Sequence, residues 1–142
     1  MPDIFTSRKR RSIMQSVKQK NTKPELMVRS LIHGQGLRFR LHCKGLPGKP
    51  DIVLPKHRVI IFVQGCFWHQ HANCKRATLP QTRTEFWTEK LVKNKQRDRK
   101  VQRELRQMGW QVAVVWECQT KDADCLLNKL ARYLPIKRGG HR

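Results

Sequence analysis

Nine consecutive positions, Cys66-Phe67-Trp68-His69-Gln70-His71-Ala72-Asn73-Cys74, hold two cysteines and two histidines. Thiolate and neutral imidazole are the donors of a tetrahedral Zn²⁺ site, and Cys66, His71 and Cys74, spaced C-x4-H-x2-C, supply three of its four ligands. A chain that closes such a site must bring a distant residue back to this loop. Cys118 is the best placed, because it follows an apolar run ending at Trp116, and a strand end can be fixed against the exit loop of a neighbouring strand. His69 competes for the same position. Incidental loop residues are the alternative reading, and two Cys with two His in so short a loop argue against it. A closed set of three cysteines and one histidine leaves no open position, so the site reads as structural. Cys43 and Cys125 have no such company and read as ordinary side chains. Five cysteines, an odd number, do not make a disulfide framework. No apolar leader opens Met1-Pro2-Asp3-Ile4-Phe5-Thr6-Ser7-Arg8, so reduced thiols in a cytosol are expected.

Around this loop the pattern is regular. Thr22-Lys23-Pro24-Glu25 reads as a helix start: Thr caps, Pro suits the first turn, and Glu three residues on completes a capping box. The helix is expected to run to Gly34 or Gly36 and to present Val28, Leu31 and Ile32 to a core. Leu37, Phe39 and Leu41 alternate with Arg38, Arg40 and His42, the pattern of a half-buried strand. Gly45-Leu46-Pro47-Gly48-Lys49-Pro50 is a loop, Asp51 to Leu54 a short strand, and Pro55 to Arg58 a turn. Val59 to Val63 is continuously apolar, as a central strand buried on both faces is. Arg83 to Met108 reads as one long helix stopped by Gly109, Trp110 to Trp116 as a strand, and Asp122 to Leu134 as a closing helix. The order αβββαβα implies an α/β fold, one mixed sheet flanked by helices rather than a doubly wound repeat. A basic arm over residues 1–21, one globular domain over 22–135 and a basic tail over 136–142, expected to fray, complete the organisation.

Of the 142 residues, 31 are Lys or Arg and only 10 are Asp or Glu, a net charge of +21. So large a surplus repels itself unless an anionic partner screens it, and nucleic acid is the commonest such partner. An anionic membrane surface fits less well, since no stretch joins a basic face to a strongly apolar one. No apolar run approaches the roughly 20 residues of a membrane span. Arg8, Lys9, Arg10 and Arg11 are expected to contact phosphates. Phe67-Trp68 is an aromatic pair inside a metal-braced polar loop. Exposed, such a pair wedges between bases; otherwise it packs beneath the loop. Met14, apolar and alone in the arm, is either a second wedge or a minor docking contact.

With so few acids, each position is informative. Asp51 follows Pro50 at the start of a strand that leads into a hairpin, the pattern by which many nucleases hold Mg²⁺ beside a scissile phosphate. A plain Pro-Asp turn is the competing reading. On the long helix, Trp87, Leu91, Asn94, Asp98, Val101, Leu105 and Met108 recur at 4-3-4-3-4-3 spacing and form one face. Asn94 and Asp98 sit mid-stripe, where an unpaired charge is costly. Asp98 therefore points toward the sheet; the bland reading pairs it with an adjacent Arg or has it cap a buried group. Glu25, at the edge of its helix's apolar face, belongs either to the capping box alone or to a site. His69, if it is not a zinc ligand, is placed to act as a general base toward water.

Taken together these residues resemble a known family, the very-short-patch mismatch repair (Vsr) endonucleases, over roughly residues 7–118. Leu46-Pro47-Gly48-Lys49-Pro50-Asp51, Gly65-Cys66-Phe67-Trp68-His69 and Thr82-Arg83-Thr84-Glu85-Phe86-Trp87 carry the resemblance most specifically. Asn94 with Arg97-Asp98-Arg99, and Gly109-Trp110 with Val115-Trp116-Glu117-Cys118, complete it. The resemblance implies a restriction-endonuclease-like fold with a structural zinc on Cys66, His71, Cys74 and Cys118, and it makes residues 22–135 a nuclease domain. It implies an enzyme that nicks one strand of double-stranded DNA 5′ to the T of a T:G mismatch. That lesion arises when 5-methylcytosine deaminates within a methyltransferase's target site. By the same analogy Asp51 is the main Mg²⁺ ligand with the backbone carbonyl of Val63. His69 is the base, oriented by Asp98, and Glu25 lies at the site margin. Phe67 and Trp68 intercalate from the major-groove side and Met14 from the minor-groove side. A bacterial cytoplasmic monomer is expected, nucleoid-associated when on DNA and functionally linked to a cytosine-5 DNA methyltransferase.

One position departs from the family pattern. The family usually has His before Gly-Cys-Phe-Trp-His, and this chain has Gln64. An amide carries no proton or charge, yet it hydrogen-bonds a phosphate oxygen or a metal-bound water. Either Gln64 keeps a positioning role, or rate or specificity is altered. A rival class, a zinc-stabilised nucleic-acid-binding protein without catalysis, leaves the acid inside an apolar stripe unexplained. A related nuclease with relaxed specificity is the second rival.

Overall fold

The apolar run Val59–Val63 becomes β3 (Val59–Gln64), and most of the architecture follows from it. A strand buried on both faces needs a neighbour on each edge and a layer on each side. The computed structural model describes residues 22–137. The expectations placed on the arm, with Arg8, Lys9, Arg10, Arg11 and Met14, and on residues 138–142 lie outside the described residues. On one edge of β3, β2 (Ile52–Leu54) pairs antiparallel with Ile52 opposite Ile61. On the other, β4 (Gln111–Trp116) pairs parallel with Ile61 opposite Ala113. β1 (Arg40–Leu41) runs antiparallel to β2, which gives the sheet order β1-β2-β3-β4. A parallel pair requires a long crossover. Here the Cys/His loop and α2 (Thr84–Gln107) make it.

The pleat divides the core into two layers. Ile52, Leu54, Val59, Ile61, Ala113 and Val115 face α1 (Lys23–Gly34) and α3 (Ala123–Leu130), meeting Val28, Ile32, Leu126 and Leu130. Val53, Ile60, Phe62 and Val112 face the other way, onto Leu105 of α2. Among the described residues the fold is thus an α/β arrangement of three α-helices on an open mixed sheet, as the element order implied.

Several elements differ from the sequence pattern, each for a local reason. The strand over Leu37–Leu41 shrinks to Arg40–Leu41 because the end of α1 takes its first residue. Gly36 adopts φ +76°, its N–H donates to His33 O, and Leu37 N–H donates to Ile32 O; this is a Schellman closure. Thr22 caps α1, accepting from Glu25 N–H at 3.3 Å, but the reciprocal half of the capping box is absent among the contacts shown for Glu25. Its carboxylate turns to Arg29 and His42 instead. α3 ends at Leu130 and continues as turns through Leu134, since Pro135 disfavours helical geometry in the residue before it. Met108 is exposed rather than part of the buried stripe, because the chain already turns there toward Gly109 at φ +95°. The tail begins tied down: Ile136 packs on the core, and Lys137 exchanges two hydrogen bonds with the Gln35 side chain.

Gly48 fixes the loop that delivers Asp51. It sits at φ +75°, and a Cβ there would lie 2.4 Å from Val101 Cγ1 on α2. The loop backbone therefore lies directly against the helix that carries Asp98. Gly48→Ala should lower stability by roughly 1–3 kcal/mol through backbone strain and overpacking, read as a drop in Tm. The penalty should shrink in a Val101→Ala background, which removes the clash and leaves the strain.

Candidate active site and metal centre

Because β3 and β4 are parallel and Gln64 pairs with Trp116, their exit loops leave the sheet side by side. β2 enters next to them. A cleft of about 1070 Å³ opens at this end, lined by Glu25, His42, Asp51, Gln64, His69 and Asp98 among others. Asp51 Oδ2 accepts a hydrogen bond from the Val63 backbone N–H at 2.8 Å. The contact shown between these two residues thus runs through the amide of Val63. Burial pushes the Asp51 carboxyl up to about 6; the Val63 N–H opposes this, Glu25 adds to it, and His42 and His69 oppose it. A carboxylate this reluctant to ionise is stabilised as an anion by a bound cation, so the site fits a divalent metal.

The stripe on α2 resolves into two contacts on one loop. Asn94 Nδ2 donates to the backbone carbonyl of Trp68 at 3.3 Å. One turn later Asp98 accepts from His69 Nδ1 at 2.5 Å. Neither polar residue is a packing accident, and Asp98 pairs with His69 rather than with an adjacent Arg. With Nδ1 engaged by a carboxylate, Nε2 is the ring nitrogen left to exchange a proton. Gln64 is buried and lines the same cleft. Glu25 is only 2% exposed; it accepts from Arg29 Nη1 at 3.3 Å and from His42 Nε2 at 2.8 Å.

In the sequence His42 is no more than a polar position of a strand. Its chemistry depends on a partner 17 residues away, which no local pattern announces.

The Cys/His cluster lies at the same end of the sheet. The donor atoms of Cys66, His71, Cys74 and Cys118 all lie within 4.8 Å of one another. His71 Nδ1 is 3.7 Å from Cys66 Sγ and 3.5 Å from Cys118 Sγ. Tetrahedral zinc bonds of about 2.3 Å to sulfur and about 2.05 Å to nitrogen put such donors about 3.6 Å apart. His69, turned to Asp98, is not in the cluster. His71 stacks on Trp116 with ring centroids 4.2 Å apart, and its backbone N–H donates to Cys66 O at 2.9 Å. Burial holds the His71 imidazole below its usual range, helped by the Lys129 charge, and the neutral ring is the ligand form. Burial pushes the Cys66 thiol up to about 12, so this sulfur becomes a thiolate only against a cation. The residues present fit a thiophilic metal.

Between the two clusters lies an aromatic group. Phe67, Trp68 and Trp87 pack mutually, with ring centroids 5.2 to 5.8 Å apart. Phe67 and Trp87 are half-buried and Trp68 is 6% exposed, so neither member of the Phe67-Trp68 pair stands fully exposed. Trp87, by its spacing a member of the core stripe, also serves this group. Its position one turn before Leu91 is the signal that it reaches the loop. Lys90 Nζ stands 5.5 Å from the Trp68 ring and Arg83 4.6 Å from Phe86, giving the aromatic group a cationic rim.

Comparison with known proteins gives this arrangement a family. The family model for the DNA mismatch endonuclease Vsr matches residues 2–76. The type II nicking enzyme V.XorIIP of Xanthomonas oryzae pv. oryzae is 47% identical over 134 residues, covering 94% of this chain and 98% of its own. The type II nicking enzyme V.NmeAIP of Neisseria meningitidis is 46% identical over 135 residues, 93% of this chain and 96% of its own. The DNA mismatch endonuclease Vsr of Escherichia coli is 41% identical over 129 residues, 91% of this chain and 82% of its own. The chain belongs to the Vsr family of DNA mismatch endonucleases. Nuclease chemistry of this family implies a divalent metal. Among the described residues no helix is long and apolar enough to cross a membrane.

The desolvated Asp51 carboxyl makes a prediction for the metal-free protein. Its folded value, about 6, lies above 3.8, its ordinary one. Between those values the folded chain keeps a proton that the unfolded chain has released, so stability falls as pH rises through this window. Urea melts at pH 4.5 and 7.5 should show Asp51→Asn gaining on the parent by about 2 kcal/mol over that interval. A constant difference would mean Asp51 is ionised at no cost.

Proposed function

We propose that this protein nicks one strand of double-stranded DNA 5′ to the T of a T:G mismatch, by Mg²⁺-dependent phosphodiester hydrolysis. The observation that carries the reading is that a half-buried carboxylate, Asp51, and an oriented imidazole, the His69–Asp98 pair, open into one cleft. Asp51, with the backbone of Val63, would hold the metal, and Glu25 would support it from the margin. Mg²⁺, when bound, polarises the phosphate and stabilises the leaving 3′ oxygen. His69 takes a proton from the attacking water at Nε2, and Asp98 holds the ring in the tautomer that permits this and stabilises the imidazolium that forms. Gln64 donates from its amide to a phosphate oxygen; it orients and moves no proton.

Selection of the mismatch is assigned to the aromatic group. Phe67, and Trp68 once it is uncovered from Phe67 and Trp87, enter the base stack from the major groove and Met14 from the minor groove. A wobble pair is unstacked more cheaply than a Watson–Crick pair, so distortion costs least at the correct site. Arg8, Lys9, Arg10 and Arg11 neutralise phosphates in sequence-independent fashion. The mixed sheet with helices on both faces is in keeping with a restriction-endonuclease-like domain over residues 22–135, flanked by a DNA-contacting arm (1–21) and a basic tail (136–142). Zn²⁺ on Cys66, His71, Cys74 and Cys118 would be structural, since all four positions are taken by protein. A monomer suffices, because one asymmetric nick needs one active site. Its setting would be the bacterial cytoplasm, on nucleoid DNA and beside a cytosine-5 methyltransferase whose deaminated sites it clears.

The decisive experiment is a nicking assay on T:G and T:A duplexes with and without Mg²⁺. Asp51→Asn should lose at least about a thousandfold in rate, on the order of 4 kcal/mol, while binding duplex within a few-fold of the parent; normal turnover in Asp51→Asn sinks the assignment. Phe67→Ala with Trp68→Ala should erase the preference for mismatched duplex, and surviving discrimination would discard the wedge. Elemental analysis should find one zinc per chain, released together with the fold's cooperativity in Cys118→Ser. A folded, zinc-free parent rejects the structural site.

A further inference from the structure

His69 is not the only imidazole in the cleft. His42 follows β1 with φ +48°, a left-handed conformation that costs most side chains energy and that histidine tolerates better than most. Its backbone N–H donates to the carbonyl of Asp51 at 3.0 Å, so the backbones of the two residues are fixed to each other. Its Nε2 lies 2.8 Å from Glu25 Oε2. The donor atoms of Glu25, His42 and Asp51 all lie within 4.8 Å of one another. Two carboxylates, Glu25 at 2% exposure and half-buried Asp51, share this space; Arg29 stands 3.3 Å from Glu25, and the remaining repulsion between the two is relieved by a cation between them.

We infer that His42 is a ligand of the cation held by Asp51: with Glu25 it completes a three-ligand nitrogen and oxygen site that loads one divalent ion before DNA arrives, and the imidazole biases that site toward Mn²⁺ over Mg²⁺. This rests on the reading of Asp51 as the metal-holding carboxylate. Octahedral bonds of about 2.2 Å place neighbouring donors about 3.1 Å apart and opposite donors about 4.4 Å apart. The His42–Glu25 pair needs to open by only a few tenths of an ångström to take an ion in place of the proton it shares. That proton leaves Nε2 for solvent, or the ring changes tautomer and carries it on Nδ1. Mg²⁺ favours oxygen donors and gives up water reluctantly, whereas imidazole suits transition-metal ions. A Mg²⁺ site needing only carboxylates and waters would have no use for a histidine in this place.

The test uses the full-length, zinc-loaded protein without DNA, titrated with Mn²⁺ and followed by calorimetry and pulsed EPR. The parent should bind one Mn²⁺ showing hyperfine coupling to an imidazole ¹⁴N. His42→Gln keeps a donor for Glu25 and should stay folded, checked by its Tm. It should lose the nitrogen coupling and weaken Mn²⁺ at least about tenfold, with Mg²⁺ affinity changed far less. His69→Gln should retain the coupling. A parent that binds no Mn²⁺ without DNA, or a coupling that persists in His42→Gln, overturns the inference. Asp51→Asn separates the two levels. If it abolishes Mn²⁺ binding while His42→Gln leaves coupling and affinity intact, only the role of His42 fails. If Asp51→Asn binds Mn²⁺ like the parent, the reading of Asp51 fails with it.

Discussion

The parallel pairing of β3 with β4 is the constraint on which the other features depend. Its register sets Gln64 beside Trp116. Cys66 and Cys118 each stand two residues beyond those strand ends, so the pairing delivers both sulfurs to one place. An antiparallel pair would have sent them to opposite ends of the sheet. The same choice forces a long crossover, and that crossover supplies α2. Once α2 lies across the sheet with Leu105 in the core, Asn94 and Asp98 are carried to the loop that leaves β3. The Cys/His donor cluster, the oriented histidine and the cleft are thus consequences of one strand register.

The two clusters are coupled through that loop. His69 lies between Cys66 and His71 in the chain, and its own N–H donates to Gly65 O. α2 anchors the loop from one side, and a metal on the Cys/His cluster would anchor it from the other. A loop backbone without such anchors would sample many conformations, at roughly 1–2 kcal/mol of entropy per residue fixed. The α2 contacts offset part of that cost and leave His69 in a defined place; ligation of a metal would offset more. Rigidity at the site is therefore supplied by chemistry outside it.

Much of this was legible in the residues. The run Val59–Val63 announced a central strand because, in so charged a chain, an unbroken β-branched and aromatic stretch belongs in the interior. The four metal-type donors were legible because their spacing and softness are diagnostic, and Cys118 was reachable from its place after a strand. The inward face of Asp98 followed from helical period alone, though not its partner. What escaped were features set by non-local contacts or unusual backbone. Glu25 reads either as a capping-box residue of Thr22 or as a member of a site, and no local pattern shows that His42 and Arg29 take its carboxylate. The strand expected from Leu37 is shortened by a helix closure at Gly36, which alternation of side chains does not register. Trp68 is covered by Trp87 and Phe67, and its burial depends on a helix that begins 16 residues later. Charge composition indicated the class of partner and was silent on chemistry.

Between Cys66 and His71 every side chain or backbone group shown has a separate destination. Phe67 O accepts from Gln70 Nε2 at 2.7 Å, Trp68 O accepts from Asn94, and His69 meets Asp98. Both ends are held by the same donor cluster. Inserting or deleting a single residue there would shift every later group by one place and break all of these attachments together. Exchange of one side chain breaks at most one. Related chains should therefore differ in this segment by substitution at constant length, with gains or losses of residues falling elsewhere.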